Sequence, residues 1–355
     1  MTTPYRVLTP LLAVALLAGC TAGGDPPSPS SSMTSATEGV GVSTVATGLD
    51  VPWSVAFHEG TALVSERDSA DVLELDSSGA ARVVGSVAAA QPRGEGGLLG
   101  IAVHEDFLYA YLTTGEDNRI VRFGLAGKPG SLRIGEPDVI LDGVPAANFH
   151  NGGRIAFGPD GMLYATVGDA GNGSAAQDLD SLSGKILRMT PHGAVPEDNP
   201  VDGSLVYSYG HRNPQGLAWD DDGTMYASEF GQNTWDELNV IEAGANYGWP
   251  QVEGIGESDE YVDPVQQWRP AEASPSGIAI AEGSIWIANL RGERLRQVPL
   301  DDLGASSERF VGEYGRLRDV VVTPDGDLWV LTNNTDGRGD PGDEDDRILE
   351  VGPTS

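Results

Sequence analysis

An all-β, six-bladed β-propeller with four-stranded antiparallel blades is the fold this 355-residue sequence predicts. Three observations predict it: a strand–turn–strand unit that returns six times, a near absence of helical periodicity, and an abundance of turn residues. The unit reads WSVAFHEGTALVSER from Trp53, LGIAVHEDFLYAYLTTG from Leu99 and GRIAFGPDGMLYATVGD from Gly153. It returns as QGLAWDDDGTMYASEFG from Gln215, SGIAIAEGSIWIANLRG from Ser276 and RDVVVTPDGDLWVLTNN from Arg318. With Val55, Ile101, Ile155, Leu217, Ile278 and Val320 as equivalent positions, the steps are 46, 54, 62, 61 and 42 residues. That period suits one four-stranded blade per unit. The 48 glycines and 23 prolines supply the turns.

Each element follows in order. The first strand of a unit is small and apolar, and a turn such as Pro-Asp-Gly reverses it into the second. Strand-like pieces such as DVLELDSSG, NRIVRFGL, GKILRMTPHG and DRILEVGP come next and complete the blades. Residues 40–48, VGVSTVATG, precede the first unit and are expected to complete the last blade, closing the ring and removing exposed sheet edges.

The start of the chain has a different character. MTTPYRVLTPLLAVALLAGC carries one arginine, a short apolar run and then the only cysteine of the sequence. This is the form of a secretory signal, too short for a spanning helix, and its end resembles a lipobox with Cys20 as the lipid-bearing residue. The expected organisation is a signal peptide over 1–19, a Gly/Ser/Pro tether over 20–38, and a propeller domain over 39–355. The domain would then sit on the extracytoplasmic face of a bacterial membrane, held only by the lipid at Cys20. A single cysteine permits no internal disulfide, so packing alone must stabilise the fold. The net charge of −32 argues against a nucleic-acid partner, which requires a basic footprint.

Against so acidic a background, local cation clusters carry information. The openings of the units hold Glu95 in RGEGGLLGIA, His150 in FHNGGRIAF, Arg212 and Asn213 in GHRNPQGLAW, and Arg316 and Arg318 in GRLRDVVV. Asp169 and Arg291 stand at the far ends of their hairpins. His150 and Asp169 would meet at one strand mouth, either as a general base with its orienting carboxylate or as a structural hydrogen bond. Four arginines aimed at one mouth repel each other unless an anion lies among them, and guanidinium groups grip carboxylates or phosphates bidentately. The alternative for each arginine is a local partner such as Asp319 or Glu293.

The motifs GEGGLLGIAVHEDF, HNGGRIAFGPDGMLYATVGDAG, LSGKILRM, YGHRNPQGLAWD, SEFGQNTWDELN, GANYGWP and RLRDVVVTPDGDLWVLTNN run in order along the domain. In them the chain resembles the soluble glucose/sorbosone dehydrogenases, quinoproteins that use pyrroloquinoline quinone (PQQ) and calcium. The resemblance implies a six-bladed propeller oxidising the C1 hydroxyl of aldoses to lactones and passing electrons to an external acceptor. It makes His150 the catalytic base and Asp169 its orienting carboxylate. Arg212, Asn213, Arg291, Arg316 and Arg318 would hold the cofactor, and Glu95 would lie near the substrate. The backbone carbonyls of Gly231 and Gln232 would hold Ca2+.

Four positions depart from the family pattern. Arg291 replaces a common lysine, and Phe230 and Gln232 replace a polar residue and a proline. Phe149 replaces a carboxylate found in some glucose-oxidising members. A propeller that binds a carbohydrate or protein partner without redox turnover is the reading from another class.

The remaining candidates read as structural. TDGRGDPGDEDDR, residues 335–347, lacks EF-hand spacing and reads as a solvated acidic turn. Trp53, Trp249 and Trp268 read as core or rim packing. His58, His104 and His192 are expected to be exposed, and His211 to support Arg212.

Overall fold

The computed structural model describes residues 41–352. Within them, 24 strands form six four-stranded sheets arranged as propeller blades. The proposed signal peptide, the tether and Cys20 lie outside the described residues.

Blade 1 begins at Pro52–His58, blade 2 at Leu98–His104 and blade 3 at Ile155–Phe157. Blades 4, 5 and 6 begin at Pro214–Trp219, Pro275–Ala281 and Leu317–Val322. Each of these innermost strands pairs antiparallel with the next strand in sequence, as the recurring unit predicts. Strand Val42–Ala46 pairs antiparallel with Ile348–Val351, so the N-terminal segment completes blade 6 and closes the ring. Closure gives every blade four strands and leaves only short, protected edges.

The turns form for local reasons. In PDG the Asp160 Oδ1 accepts the Met162 N–H at 3.0 Å, while Gly161 takes a φ of 73° that a side chain would disfavour. Between blades, interdigitated side chains such as Tyr109, Tyr111, Val167 and Leu187 make the core. Around the axis the strands approach closely: a Cβ on Gly100 would meet the Gly153 carbonyl at 2.3 Å.

The hub itself is polar. Arg154 of blade 3 donates to Ser54 Oγ of blade 1, to the Gln215 carbonyl of blade 4 and to Asp319 Oδ2 of blade 6, the last at 2.9 Å. Its guanidinium also lies 4.4 Å from the centre of the Trp53 ring. Asp319 is therefore spent on Arg154 and does not neutralise Arg318.

Candidate active site

Two cavities flank this hub. The one at the ends of the innermost strands holds about 480 Å³ and is lined mostly by Val, Ile, Ala and Phe residues, together with the Arg154–Asp319 pair. The other, at the strand beginnings, holds about 200 Å³ and is lined by Trp53, Glu95, Gln215, Arg291, Arg316 and Arg318, among others. Excess positive charge gathers only in the second, where the sequence aimed its arginines.

The structure brings His150 and Asp169 together, with Nδ1 2.8 Å from Asp169 Oδ1. The hairpin of blade 3 sets this distance, because Ile155–Phe157 pairs with Leu163–Val167 and the flanking residues follow. Burial alone would raise the Asp169 pKa. Hydrogen bonds from His150, the Gly171 N–H and the Trp249 indole hold it below the ordinary value instead. An ionised Asp169 only accepts, so His150 carries its proton on Nδ1 and presents Nε2 as a lone pair. No hydrogen bond engages Nε2 among the described residues.

The backbone of His150 is strained, at a φ of 57° in the left-handed region. Two contacts hold it there. The His150 N–H donates to Glu95 Oε2 at 3.0 Å, and the Ala170 N–H donates to the His150 carbonyl at 3.1 Å. Glu95 lines the cavity as expected, yet its second oxygen faces Arg338 at 3.5 Å. Its carboxylate thus ties the backbone of His150 to the blade 6 loop.

Three of the four arginines meet in the cavity, and they are short of partners. Arg318 is 3 % exposed, and its acceptors are the neutral oxygens of Gln215, Ser276 and Asn333. Burial, with Arg316, Arg67 and Arg154 close by, pushes its pKa down to about 9 even though Asp336 opposes the shift. Arg316 is buried as well and meets Asp336 at 3.4 Å; burial again lowers its pKa. Arg291 is exposed at the rim, with no ion pair among the described residues. The Nε atoms of Arg316, Arg318 and Arg212 and the Nδ2 of Asn213 are buried without a hydrogen-bond acceptor. Such orphaned donors cost free energy unless a ligand satisfies them.

The fourth arginine turns aside. Arg212 Nη1 donates to the Phe230 carbonyl at 3.2 Å and to the Gly231 carbonyl, while its guanidinium lies 5.4 Å from the Trp249 ring centre. Its N–H donates to Glu229, whose other oxygen takes His211 Nδ1 at 2.8 Å; His211 Nε2 meets Ser208 Oγ at 2.9 Å. His211 is fully buried and supports Arg212 as expected. A Cβ on Gly231 would fall 1.7 Å from the Trp235 carbonyl, so the turn bearing Gly231 and Gln232 closes only around glycine.

Several expectations need correction. Segment 335–347 is solvated over 337–338 and 340–344, as expected, but not at its ends: the Asp336 carboxylate is buried against Arg316, and Asp346 accepts from Thr332, Asn334 and Thr335. A carboxylate is needed there because Arg316 is otherwise buried without a countercharge. His58 and His104 are half-buried, and His104 stacks on Phe157 at 4.3 Å. Trp53 and Trp268 are core residues, whereas Trp249 joins the site through its 2.9 Å bond to Asp169 Oδ2. The sequence reading missed Gln215, Glu229, Asp336 and Arg338 as members of the site. Gln215 and Glu229 lay inside quoted motifs, but their roles emerge only when distant blades meet.

Two consequences can be measured. Replacing Trp249 with Phe removes one donor from Asp169, so its pKa rises and the acid limb of the activity profile moves to higher pH. The accompanying fall in kcat at neutral pH is expected to be about tenfold, the worth of one hydrogen bond to a charged group; steady-state rates across pH would read both. The second concerns Glu237, whose pKa burial and the neighbouring Glu229 carboxylate raise. The folded state therefore binds this proton more tightly than the unfolded chain, and stability falls as pH climbs past the ordinary glutamate range. Glu237→Gln is expected to gain roughly 1–3 kcal/mol at pH 8 and nothing at pH 4, compared by denaturant unfolding. The buried Asn239 Oδ1, which lacks a donor, can take the new amide after a flip.

Residues 49–340 match the glucose/sorbosone dehydrogenase family. The PQQ-bound aldose sugar dehydrogenase of Streptomyces coelicolor is 52 % identical, with a TM-score of 0.84 over 88 % of this chain and 98 % of that one. Aldose sugar dehydrogenase YliI of Escherichia coli K12 is 29 % identical over 87 % of this chain and 94 % of that protein. Quinoprotein glucose dehydrogenase B of Acinetobacter calcoaceticus is 34 % identical over 47 % of this chain and 42 % of its own length. The family match spans the hub, the cavity and the His150–Asp169 pair that the blades assemble, and this chain belongs to the glucose/sorbosone dehydrogenase family.

Proposed function

We propose that the chain is a PQQ- and Ca2+-dependent aldose sugar dehydrogenase, converting the C1 hydroxyl of an aldose to the lactone. The observation that carries this reading is the set of buried, unsatisfied guanidinium nitrogens at a cavity lined by Glu95, which also holds the backbone of His150, whose Nε2 is free. The residues fit a cofactor with several carboxylates, since buried Arg318 and rim-exposed Arg291 line one cavity without an ion-pair partner. Arg291, Arg316, Arg318 and Asn213 would hold it, and Arg212 would join them on release from the Gly231 carbonyl. The Gly231 and Gln232 carbonyls offer the hard oxygen ligands that Ca2+ prefers. PQQ, when bound, supplies the two-electron acceptor for the hydride leaving C1, and Ca2+ supplies Lewis-acid polarisation.

The chain's own part is proton transfer and positioning. His150 Nε2 accepts the proton of the C1 hydroxyl, and the resulting imidazolium is stabilised by the Asp169 carboxylate 2.8 Å from Nδ1. Trp249 and the Gly171 N–H keep that carboxylate ionised and aligned. Glu95 holds the strained backbone that aims the imidazole. Phe149, 47 % exposed with its ring edge-on to His150 at 4.7 Å, gives the sugar an apolar face beside the base. The reduced cofactor then passes its electrons to an external acceptor.

We also infer export as a lipoprotein, with 39–355 as the catalytic domain, on the apolar run ending at Cys20. Release of the chain from membranes by Cys20→Ser would support it. For the activity, PQQ is titrated into the 39–355 domain with Ca2+ and then with EDTA, followed by an aldose and a dye acceptor. One equivalent of Ca2+-dependent binding with dye reduction is expected. No binding in either condition would leave a propeller that recognises a ligand without redox chemistry.

A further inference from the structure

The turn after blade 4's second strand shows an arrangement the proposed chemistry does not yet explain. A single oxygen, Glu253 Oε1, accepts four successive backbone amides: Gln232 at 2.7 Å, Asn233 at 2.9 Å, Thr234 at 2.8 Å and Trp235 at 3.1 Å. The preceding amide, Gly231, donates to Asp236 Oδ1 at 2.9 Å. Asp236 is itself anchored by the Ser274 N–H at 2.7 Å. Five neighbouring N–H groups therefore point at two carboxylates.

Peptide planarity fixes where the carbonyls of this turn point. In a trans peptide the C=O of one residue points opposite to the N–H of the next. The N–H groups of Gln232 and Asn233 face Glu253, so the carbonyls of Gly231 and Gln232 face the other side of the turn. The Gly231 and Phe230 carbonyls indeed meet a positive group there, the Arg212 guanidinium. Carbonyl oxygens face that side because Glu253 and Asp236 on the opposite side have claimed the amides.

We propose that Glu253 is a positioning residue for a divalent cation: by gathering these amides it aims the Gly231 and Gln232 carbonyls that coordinate Ca2+. The inference rests on the quinoprotein reading given above. Glu253 reaches the turn from segment 248–254, which also carries Trp249, so one strap braces both the cation turn and the carboxylate of the base. Loss of the brace frees the two peptide planes to rotate, and the oxygen pair loses its preorganisation.

The test compares unaltered domain, Glu253→Ala and Glu253→Gln by calorimetric Ca2+ titration in the presence of PQQ. PQQ titration in EDTA and amide hydrogen exchange over 232–235 complete the set. Glu253→Ala is expected to weaken Ca2+ binding by about 10–100-fold, the usual effect of losing a partner that orients metal ligands. Its amides 232–235 should lose protection, while PQQ binding in EDTA stays as in the unaltered domain. Glu253→Gln keeps an acceptor oxygen of the same reach and should recover most of the affinity and protection.

Equal Ca2+ affinity in Glu253→Ala would overturn the inference. So would Glu253→Gln falling as far as the alanine variant, since charge and not aim would then be the cause. If Glu253→Ala fails to fold, Glu253→Asp, whose carboxylate is one methylene shorter, takes its place: weakened Ca2+ binding with lost protection at 232–235 supports the inference, and lost protection with unchanged Ca2+ affinity overturns it. An unaltered domain that binds no Ca2+ would sink the quinoprotein reading first, and this inference with it.

Discussion

Replacing His150 with glutamine is expected to lower kcat by about 10²- to 10⁴-fold, the range that a positioned general base contributes, with cofactor affinity within a few-fold of normal. The reason lies in the proton arrangement of the pair. Asp169 is held below the ordinary carboxylate value, so it fixes the Nδ1–H tautomer and leaves Nε2 basic. Glutamine can occupy the site but cannot take a proton from an alcohol. Asp169→Asn probes the same point from the other side. An amide donating to Nδ1 would move the ring proton to Nε2 and leave no lone pair for the substrate, so a comparable loss is expected. The pH sign is also set: a lowered Asp169 pKa stabilises the fold above the ordinary carboxylate value and is lost only as pH falls through the lower value. Single-turnover reduction followed against pH, with PQQ binding measured in parallel, separates loss of chemistry from loss of cofactor. Unchanged kcat in either variant would remove His150 from the mechanism.

Arg318→Met should act with opposite signs on two quantities. Arg318 is 3 % exposed, bonded only to neutral oxygens and burdened by three other arginines. A buried charge without a countercharge is costly, so the cofactor-free variant is expected to match or exceed the parent by up to about 3 kcal/mol. The same change should weaken PQQ binding by about 2–5 kcal/mol, roughly 30- to 5,000-fold, as truncation of a buried charge contact does. Thermal unfolding without PQQ and calorimetry with it would read the two effects. A variant destabilised in both states would mean that Arg318 is a structural residue, not a ligand for an anion. Arg291→Met, at the exposed rim, should change affinity far less because water screens it.

Blade number, strand order and ring closure were legible in the sequence because they rest on local chemistry. Alternating small and apolar residues, Asp-Gly turns and a fixed recurrence specify antiparallel hairpins wherever they occur. The pairing of His150 with Asp169 was legible too, since a hairpin brings its own ends together and the register of 155–157 on 163–167 carries the distance. The family motifs pointed to Arg212, Arg316 and Arg318 but not to how each is used. Asp319 beside Arg318 in sequence pairs across the hub with Arg154, because side chains on adjacent strand positions face opposite ways.

Only the tertiary structure decided which charges remain unpaired. Asp336 reaches Arg316, Arg338 reaches Glu95, Trp249 reaches Asp169 from 80 residues away, and Glu253 gathers the amides of 232–235. These partners lie on two loops, 333–347 and 248–254, that carry no periodic signal, so their sequence looks like solvated turn. Six blades converging on one axis bring these loops within bonding distance. That convergence leaves two guanidinium groups without an ion-pair partner at one cavity, Arg318 buried in its wall and Arg291 at its rim. The sequence by itself determined the propeller and the meeting of His150 with Asp169, because both follow from neighbours along the chain; the arginine-rich pocket exists only through closure of the ring.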